Sequence, residues 1–193
     1  MSYGAISTKD AEVLEGALAF FAGHPVVFVE VGTFDGRTAR GARAFCEAHG
    51  SEFTYWGVDV NRFCPTGPFP GANYVIGRSE EVFDQMPKEV DVVFIDGCHC
   101  VNHVLLDAIH YGSLVKCGGF ILFHDAGKGV QGVQTNHWVH PKDSRPIVRT
   151  EVHKAIQKLG WPNSEWRLHR YEWDSSAMNE GQPYGGMIAF QRL

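Results

Sequence analysis

Apolar positions along the chain follow two alternating periods. From Ala11 to Phe21 they recur with helical spacing. The run Val26-Val-Phe-Val-Glu-Val31 is short and β-branched, which predicts a buried strand ending at Gly32. Thr38 to His49 then carries Ala39, Ala42 and Phe45 on one helical face, with Gly50 as its stop. Strands are expected at Thr54–Val60 and Asn73–Ile76, a helix from Ser79, and a fourth strand at Val90–Ile95. Val101–Val115 has helical period, and Gly118-Gly119 turns it into the apolar strand Phe120–Phe123.

Strands alternating with helices imply a largely parallel sheet, helices on both faces and right-handed crossovers, with ligands at the carboxyl ends of the strands. The rhythm then changes. A helix expected over Pro146–Leu159 precedes two strand-like runs, Trp166–Trp173 and Gly186–Gln191, which read as an antiparallel pair. The expected fold is α/β: a Rossmann-like three-layer α/β/α sandwich whose seven-stranded, mostly parallel sheet ends in an antiparallel C-terminal strand.

With 193 residues, 44% of them hydrophobic, the chain has enough apolar surface for one sizeable core, and a single domain over 1–193 is expected. A formal charge of −5 supplies no field for a phosphate backbone, so nucleic acid is not expected as a partner. No run is long and apolar enough for a membrane span, and MSYGAISTKD lacks the layout of a signal peptide, so the expected location is the cytoplasm, away from membranes. Cys46, Cys64, Cys98, Cys100 and Cys117 lack C-x-x-C spacing and read as reduced thiols. Oligomeric state, a homo-oligomer included, is left open by the sequence.

The candidate chemistry lies at the strand ends. The first strand leads into Glu30-Val-Gly32-Thr33-Phe34-Asp35-Gly36, where glycines let the chain turn and a ligand approach. This is G-x-x-x-G, not the G-x-G-x-x-G of a dinucleotide site, and Glu30 repels a pyrophosphate while suiting a cationic amino acid. The same glycines would also serve a plain strand-to-helix turn. Asp59 closes the second strand, where an acid can accept both hydroxyls of a ribose or stand solvated. Ser79 and Glu80 follow the third strand, where they suit either an adenine edge or a helix start capped by Ser79.

Asp96 ends the fourth strand, and His124-Asp125 ends the fifth. Two carboxylates and an imidazole can serve one divalent cation with positions left for a substrate, or can simply hold loops together. His99 lies three residues beyond Asp96 at an expected helix start, with His103 one turn on along the same face. The missing Glu of H-E-x-x-H argues against a zinc hydrolase, whereas a histidine near a cleft suits a general base.

Val29-Glu-Val-Gly-Thr-Phe-Asp-Gly36, Gly57-Val-Asp59, Ile95-Asp-Gly-Cys-His99 and Gly118-Gly-Phe-Ile-Leu-Phe-His-Asp125 together resemble the class I S-adenosylmethionine-dependent methyltransferases. The likeness is nearest to small-molecule O-methyltransferases: catechol enzymes, metal-dependent macrolide-sugar enzymes and the cephalosporin hydroxylase group. It runs from about Val26 to Asp125. The resemblance implies that Glu30, Gly32, Thr33, Phe34, Asp35 and Gly36 surround the methionine part of S-adenosyl-L-methionine. It implies that Asp59 binds the ribose, that Ser79 and Glu80 lie against adenine, and that Asp96 borders the cofactor. Asp96, His124 and Asp125 would hold a divalent metal, magnesium or manganese, beside a small-molecule acceptor. Catalysis would fall to Asp96 and to His99, which stands where the catechol enzymes have a lysine. Imidazole at His124 replaces an acidic ligand and better suits manganese, iron, cobalt or zinc than magnesium. Two other functions share this sheet: a nicotinamide-dependent oxidoreductase and a non-catalytic adenosine-binding module. The stretch Gly129–Lys142, with His137, Trp138 and His140, is expected to shape the acceptor pocket.

Overall fold

The structure is a computed structural model, and it describes residues 6–61, 67–131, 134–136, 147–172, 177–179 and 182–193. Four parallel strands build the first half of the sheet: β1 (Val26–Val31), β2 (Phe53–Asp59), β3 (Asn73–Ile76) and β4 (Val90–Ile95). Their links carry the helices α2 (Arg37–Ala48) and α3 (Ser79–Val82), while α1 (Thr8–Leu18) precedes them. Helix α4 (Val101–Leu114) leads directly into β5 (Val115–Phe123), which pairs with β4 in parallel.

Two short strands, β6 (Gln134–Asn136) and β7 (Ile147–Arg149), pair with each other outside the main sheet. Helix α5 (Val152–Leu159), β8 (Trp166–Glu172), the small pair β9 (Ala177–Asn179) and β10 (Gln182–Tyr184), and β11 (Met187–Arg192) complete the order. The sheet runs β3-β2-β1-β4-β5-β11-β8, and β11 is antiparallel to both its neighbours. The expected Rossmann-like sandwich with one antiparallel C-terminal strand is what forms.

Central strands are apolar at nearly every position because both faces are covered. Successive side chains serve opposite sides: Phe28, Phe94, Phe120 and Leu122 pack with Val13, Leu14, Ala39 and Ala42 under α1 and α2. Val29, Val93, Ile121 and Phe123 pack with Val104, Tyr111, Ala155 and Ile156 under α4 and α5. No described helix is long and apolar enough to cross a membrane.

Three elements start three or more residues away from the sequence expectation. The helix expected from Pro146 begins only at Val152, because Ile147–Arg149 extends to pair with β6. The first helix starts at Thr8, three residues early, since Ser7 caps it: Ser7 Oγ accepts from the Asp10 backbone N–H, and Asp10 answers by accepting from the Ser7 N–H. Strand β5 runs through Gly118-Gly119 rather than starting after them. A Cβ on Gly119 would lie 2.8 Å from the Asp91 carbonyl oxygen, so the glycine lets the strand pass close to β4. Cys64 and the proposed acceptor-pocket residues His137, Trp138 and His140 lie outside the described residues.

Candidate functional site

The order of the sheet reverses direction between β1 and β4, so the segments leaving these two strands part above a crevice at their carboxyl ends. Each strand's hydrogen-bonded ladder continues into the segment that follows it. The Gly32 N–H donates to the Val58 carbonyl at 2.8 Å, Asp96 N–H to Val31 at 2.8 Å, and His124 N–H to Ile95 at 3.0 Å.

Gly32 has φ +88°, and a Cβ there would sit 2.2 Å from the Asp96 carbonyl oxygen. The space beside this glycine is therefore filled by backbone of the β4 segment, which by itself accounts for the residue. The loop beyond it is strained at Phe34, with φ +44°, and this side chain is 43% exposed. Asp59 holds the loop in place: its Oδ2 accepts from the Phe34 N–H at 2.8 Å, and its Oδ1 from the Asn61 N–H at 2.9 Å. Burial nonetheless pushes the Asp59 carboxyl above its ordinary value.

Glu30 faces the α1–α2 side and is fully buried. Its carboxyl accepts a short hydrogen bond from the Tyr55 hydroxyl, which also lies 3.1 Å from Thr33 Oγ1. Gly57 makes room for this group, since a Cβ there would meet Tyr55 Oη at 2.5 Å and Thr33 Oγ1 at 2.6 Å. Burial drives the Glu30 carboxyl well above the carboxylate range, outweighing the Tyr55 bond. Asp35 turns outward to Arg37 at 2.5 Å. Gly36, with φ +74°, forms the left-handed entry to α2.

Ser79 does not cap α3. Arg78 occupies the cap position without a side-chain bond, and Ser79 Oγ instead donates to Asp107 Oδ1 on α4 at 2.5 Å. Glu80 binds Arg78 Nε at 2.6 Å. These two candidates follow β3 at one edge of the sheet, whereas the charged cluster follows β4 and β5 near its middle.

That cluster gathers three carboxylates and two imidazoles. His124 Nδ1 lies 3.0 Å from Asp96 Oδ1 and 3.7 Å from Asp125 Oδ1. Its Nε2 is 3.6 Å from Asp10 Oδ2, an acid that the sequence reading missed because α1 lies far away along the chain. Only the Ser7-x-x-Asp10 capping pattern marked that acid, and capping alone says nothing of a site. His99 Nε2 lies 3.4 Å from both Asp96 Oδ1 and Asp125 Oδ2. Asp125, in the left-handed region at φ +51°, is fixed by the Gly185 N–H, which donates to its Oδ1 at 2.6 Å.

Burial disfavours the charged forms of both imidazoles, but the surrounding carboxylates outweigh it: they hold His124 well above its ordinary value and raise His99. Burial likewise opposes ionisation of Asp96, yet His124 and His99 hold its carboxyl below the usual range. Asp96, His124 and Asp125 each offer a ligand atom, all within 4.8 Å of one another. His99 Nε2, His124 Nε2 and Asp10 Oδ1 are buried without a hydrogen-bond partner in the structure. Orphaned polar atoms around a mixed carboxylate–imidazole set fit a divalent cation.

His99 and His103 do not share a helix face. Helix α4 begins only at Val101, so His99 sits on the preceding turn and points into the cluster, while His103 points to Cys98 and Cys100. Neither cysteine is in a disulfide, and both lie against His103.

A family model described as "Methyltransferase domain" matches residues 29–126. No curated protein matches the chain in sequence. Among solved structures, the O-methyltransferase TomG of Streptomyces achromogenes, crystallised with SAM, superposes with TM-score 0.64 at 14% identity, covering 97% of this chain and 81% of that one. An rRNA methylase from Streptococcus thermophilus gives 0.63 at 9% identity, with 98% and 99% covered. TrmN of Thermus thermophilus gives 0.58 at 12% identity. There the match covers 94% of this chain but only 48% of that one, so the chain spans about half of TrmN's length.

Proposed function

The chain belongs to the family of methyltransferase domains, and from that premise we propose that it moves the methyl group of S-adenosylmethionine onto a hydroxyl of a small molecule. One domain over residues 1–193 does this with a divalent cation. The observation that carries the reading is a convergence: the Gly32–Gly36 loop, Asp59 and the Asp96–His99–His124–Asp125 cluster share one crevice at the point where the sheet order reverses. TomG, crystallised with SAM, supports the choice of cofactor.

In this reading Glu30, Gly32, Thr33, Phe34, Asp35 and Gly36 form the wall around the methionine part, Asp59 takes the ribose, and Ser79 and Glu80 border the adenine. The strained Phe34 backbone, tied to Asp59, keeps the loop shaped before the ligand arrives. The G-x-x-x-G loop lacks the G-x-G-x-x-G spacing that a dinucleotide's pyrophosphate calls for.

Asp96, His124 and Asp125 would hold the cation, which supplies a lowered pKa to a hydroxyl bound beside it. His99 Nε2 accepts the proton of the acceptor hydroxyl. The oxygen then attacks the methyl carbon in line as the carbon–sulfur bond breaks, giving a methyl ether and neutral S-adenosylhomocysteine. Asp96 and Asp125, each 3.4 Å from His99 Nε2, stabilise the imidazolium that results. The enzyme contributes chiefly positioning and a fixed field.

Methyl-labelled S-adenosylmethionine, incubated with the protein and an extract of its source cells, tests the acceptor class. Label in the small-molecule fraction that disappears with excess chelator is the expected result. Label in RNA, a class the rRNA methylase neighbour makes worth assaying, would overturn the acceptor assignment, and transfer undiminished by chelator would overturn the cation.

A further inference from the structure

The sequence Cys98-His99-Cys100-Val101-Asn102-His103 faces two ways. His99 enters the charged cluster, whereas Cys98, Cys100 and His103 turn together toward α3. Cys98 Sγ and Cys100 Sγ are 3.3 Å apart, and His103 Nδ1 lies 2.7 Å from the first and 3.3 Å from the second. All three are half-buried, and each offers one soft or borderline donor to a common point.

We propose that Cys98, Cys100 and His103 bind a zinc ion, as a second metal site separate from the Asp96–His124–Asp125 cluster. Two thiolates and an imidazole are a donor set for zinc, whereas the carboxylate-rich cluster suits harder ions. Tetrahedral zinc, with ligands at about 2.3 Å for sulfur and 2.0–2.1 Å for nitrogen, spreads such donors to roughly 3.5–3.8 Å. Small side-chain rotations suffice, because the residues straddle the first turn of α4 and the turn before it.

Binding uses the Nδ1 lone pair of His103 and leaves the proton on Nε2. Arg78 Nη2, now 3.3 Å from Nε2, yields that contact and stays paired to Glu80 through Nε. Two thiolates, one neutral imidazole and Zn²⁺ sum to no net charge, which suits a half-buried pocket. No fourth His, Cys, Asp or Glu joins the group among the described residues, so the fourth position belongs to solvent or a small ligand. The ion pins the segment that presents His99, and it does so whatever reaction the crevice performs.

The test loads the purified, reduced chain with zinc or cobalt and removes excess by dialysis. Expected are a near-ultraviolet thiolate-to-cobalt charge-transfer band and, with zinc, protection of Cys98 and Cys100 from maleimide while exposed Cys117 still reacts. Cys100→Ser and His103→Ala should weaken the band-forming site tenfold or more, whereas Cys117→Ser and Asp125→Asn should leave the band intact. Absence of the band in the wild type, equal maleimide labelling with and without zinc, or a band lost in Asp125→Asn would each overturn the site. So would a Cys98–Cys100 disulfide that persists in reductant, seen as a loss of two hydrogens by mass. The alkylation readout uses the unaltered chain and is independent of how the variants fold.

Discussion

A methyl group at position 32 has no room, because the Asp96 carbonyl oxygen already stands 2.2 Å from where it would lie. Gly71 offers an internal comparison: its φ of +85° is close to Gly32's +88°, but nothing lies within 4 Å of its would-be Cβ. Gly71→Ala should therefore cost only backbone strain, about 1 kcal/mol, and Gly32→Ala clearly more, because the β4 segment must move as well. Urea midpoints of the two variants check this, and equal losses would contradict the close approach. At His99 the expectation is chemical. His99→Ala should lower kcat by about 10²–10⁴-fold and leave affinity for S-adenosylhomocysteine unchanged. A pH profile with the same acidic limb and plateau as wild type would make His99 structural. The sequence could nominate His99 and Asp96 because both follow an apolar strand at the ligand-binding edge. It could not nominate Asp10 or Tyr55, since their roles depend on contacts between segments far apart in the chain.

Helix α4 shows what periodicity can and cannot reveal. Its apolar stripe, through Val104, Ala108 and Tyr111, was legible as a core face, but Asp107 lies inside that buried surface, 1% exposed and bonded by Ser79. Burial raises its carboxyl to about 7, against the opposing Ser79 bond. An unfolded aspartate titrates near 3.9. Between about pH 4 and 7 the folded chain thus keeps a proton that the unfolded chain has released. The contribution is full below pH 4, declines as pH rises, and is lost above 7, with a slope of at most about 1.4 kcal/mol per pH unit. In metal-free protein, Asp107→Asn should flatten the fall in urea midpoint between pH 5 and 7. Parallel curves for wild type and variant would contradict the shift. Helix α4 begins at Val101, where its periodicity predicts, but His99 and His103 fit a helical spacing that the sequence alone puts on one face; the extended backbone at Cys100 parts them into separate clusters. The C-x-C-x-x-H spacing was visible throughout, but a search limited to C-x-x-C passes over it.

At the scale of the molecule, alternation of β-branched runs with helical stripes was enough to predict the seven-stranded sheet and its antiparallel last strand, because strands buried on both faces have few other ways to read. What sequence could not supply was the short strand β7 before α5, whose pairing with β6 overrides helical character from Pro146 onward. The assembled sheet brings the loop after β1, the acid after β2 and the charged cluster after β4 and β5 to one crevice, and the account stands on a single ligand filling it. Calorimetric titration with S-adenosylhomocysteine, on wild type and on Asp59→Ala, tests that most directly. The account predicts one site per wild-type chain and an affinity at least tenfold weaker in the variant, which loses both ribose acceptor oxygens and the anchor of Phe34. No heat with S-adenosylhomocysteine where NAD binds, or equal affinity in the two proteins, would contradict it.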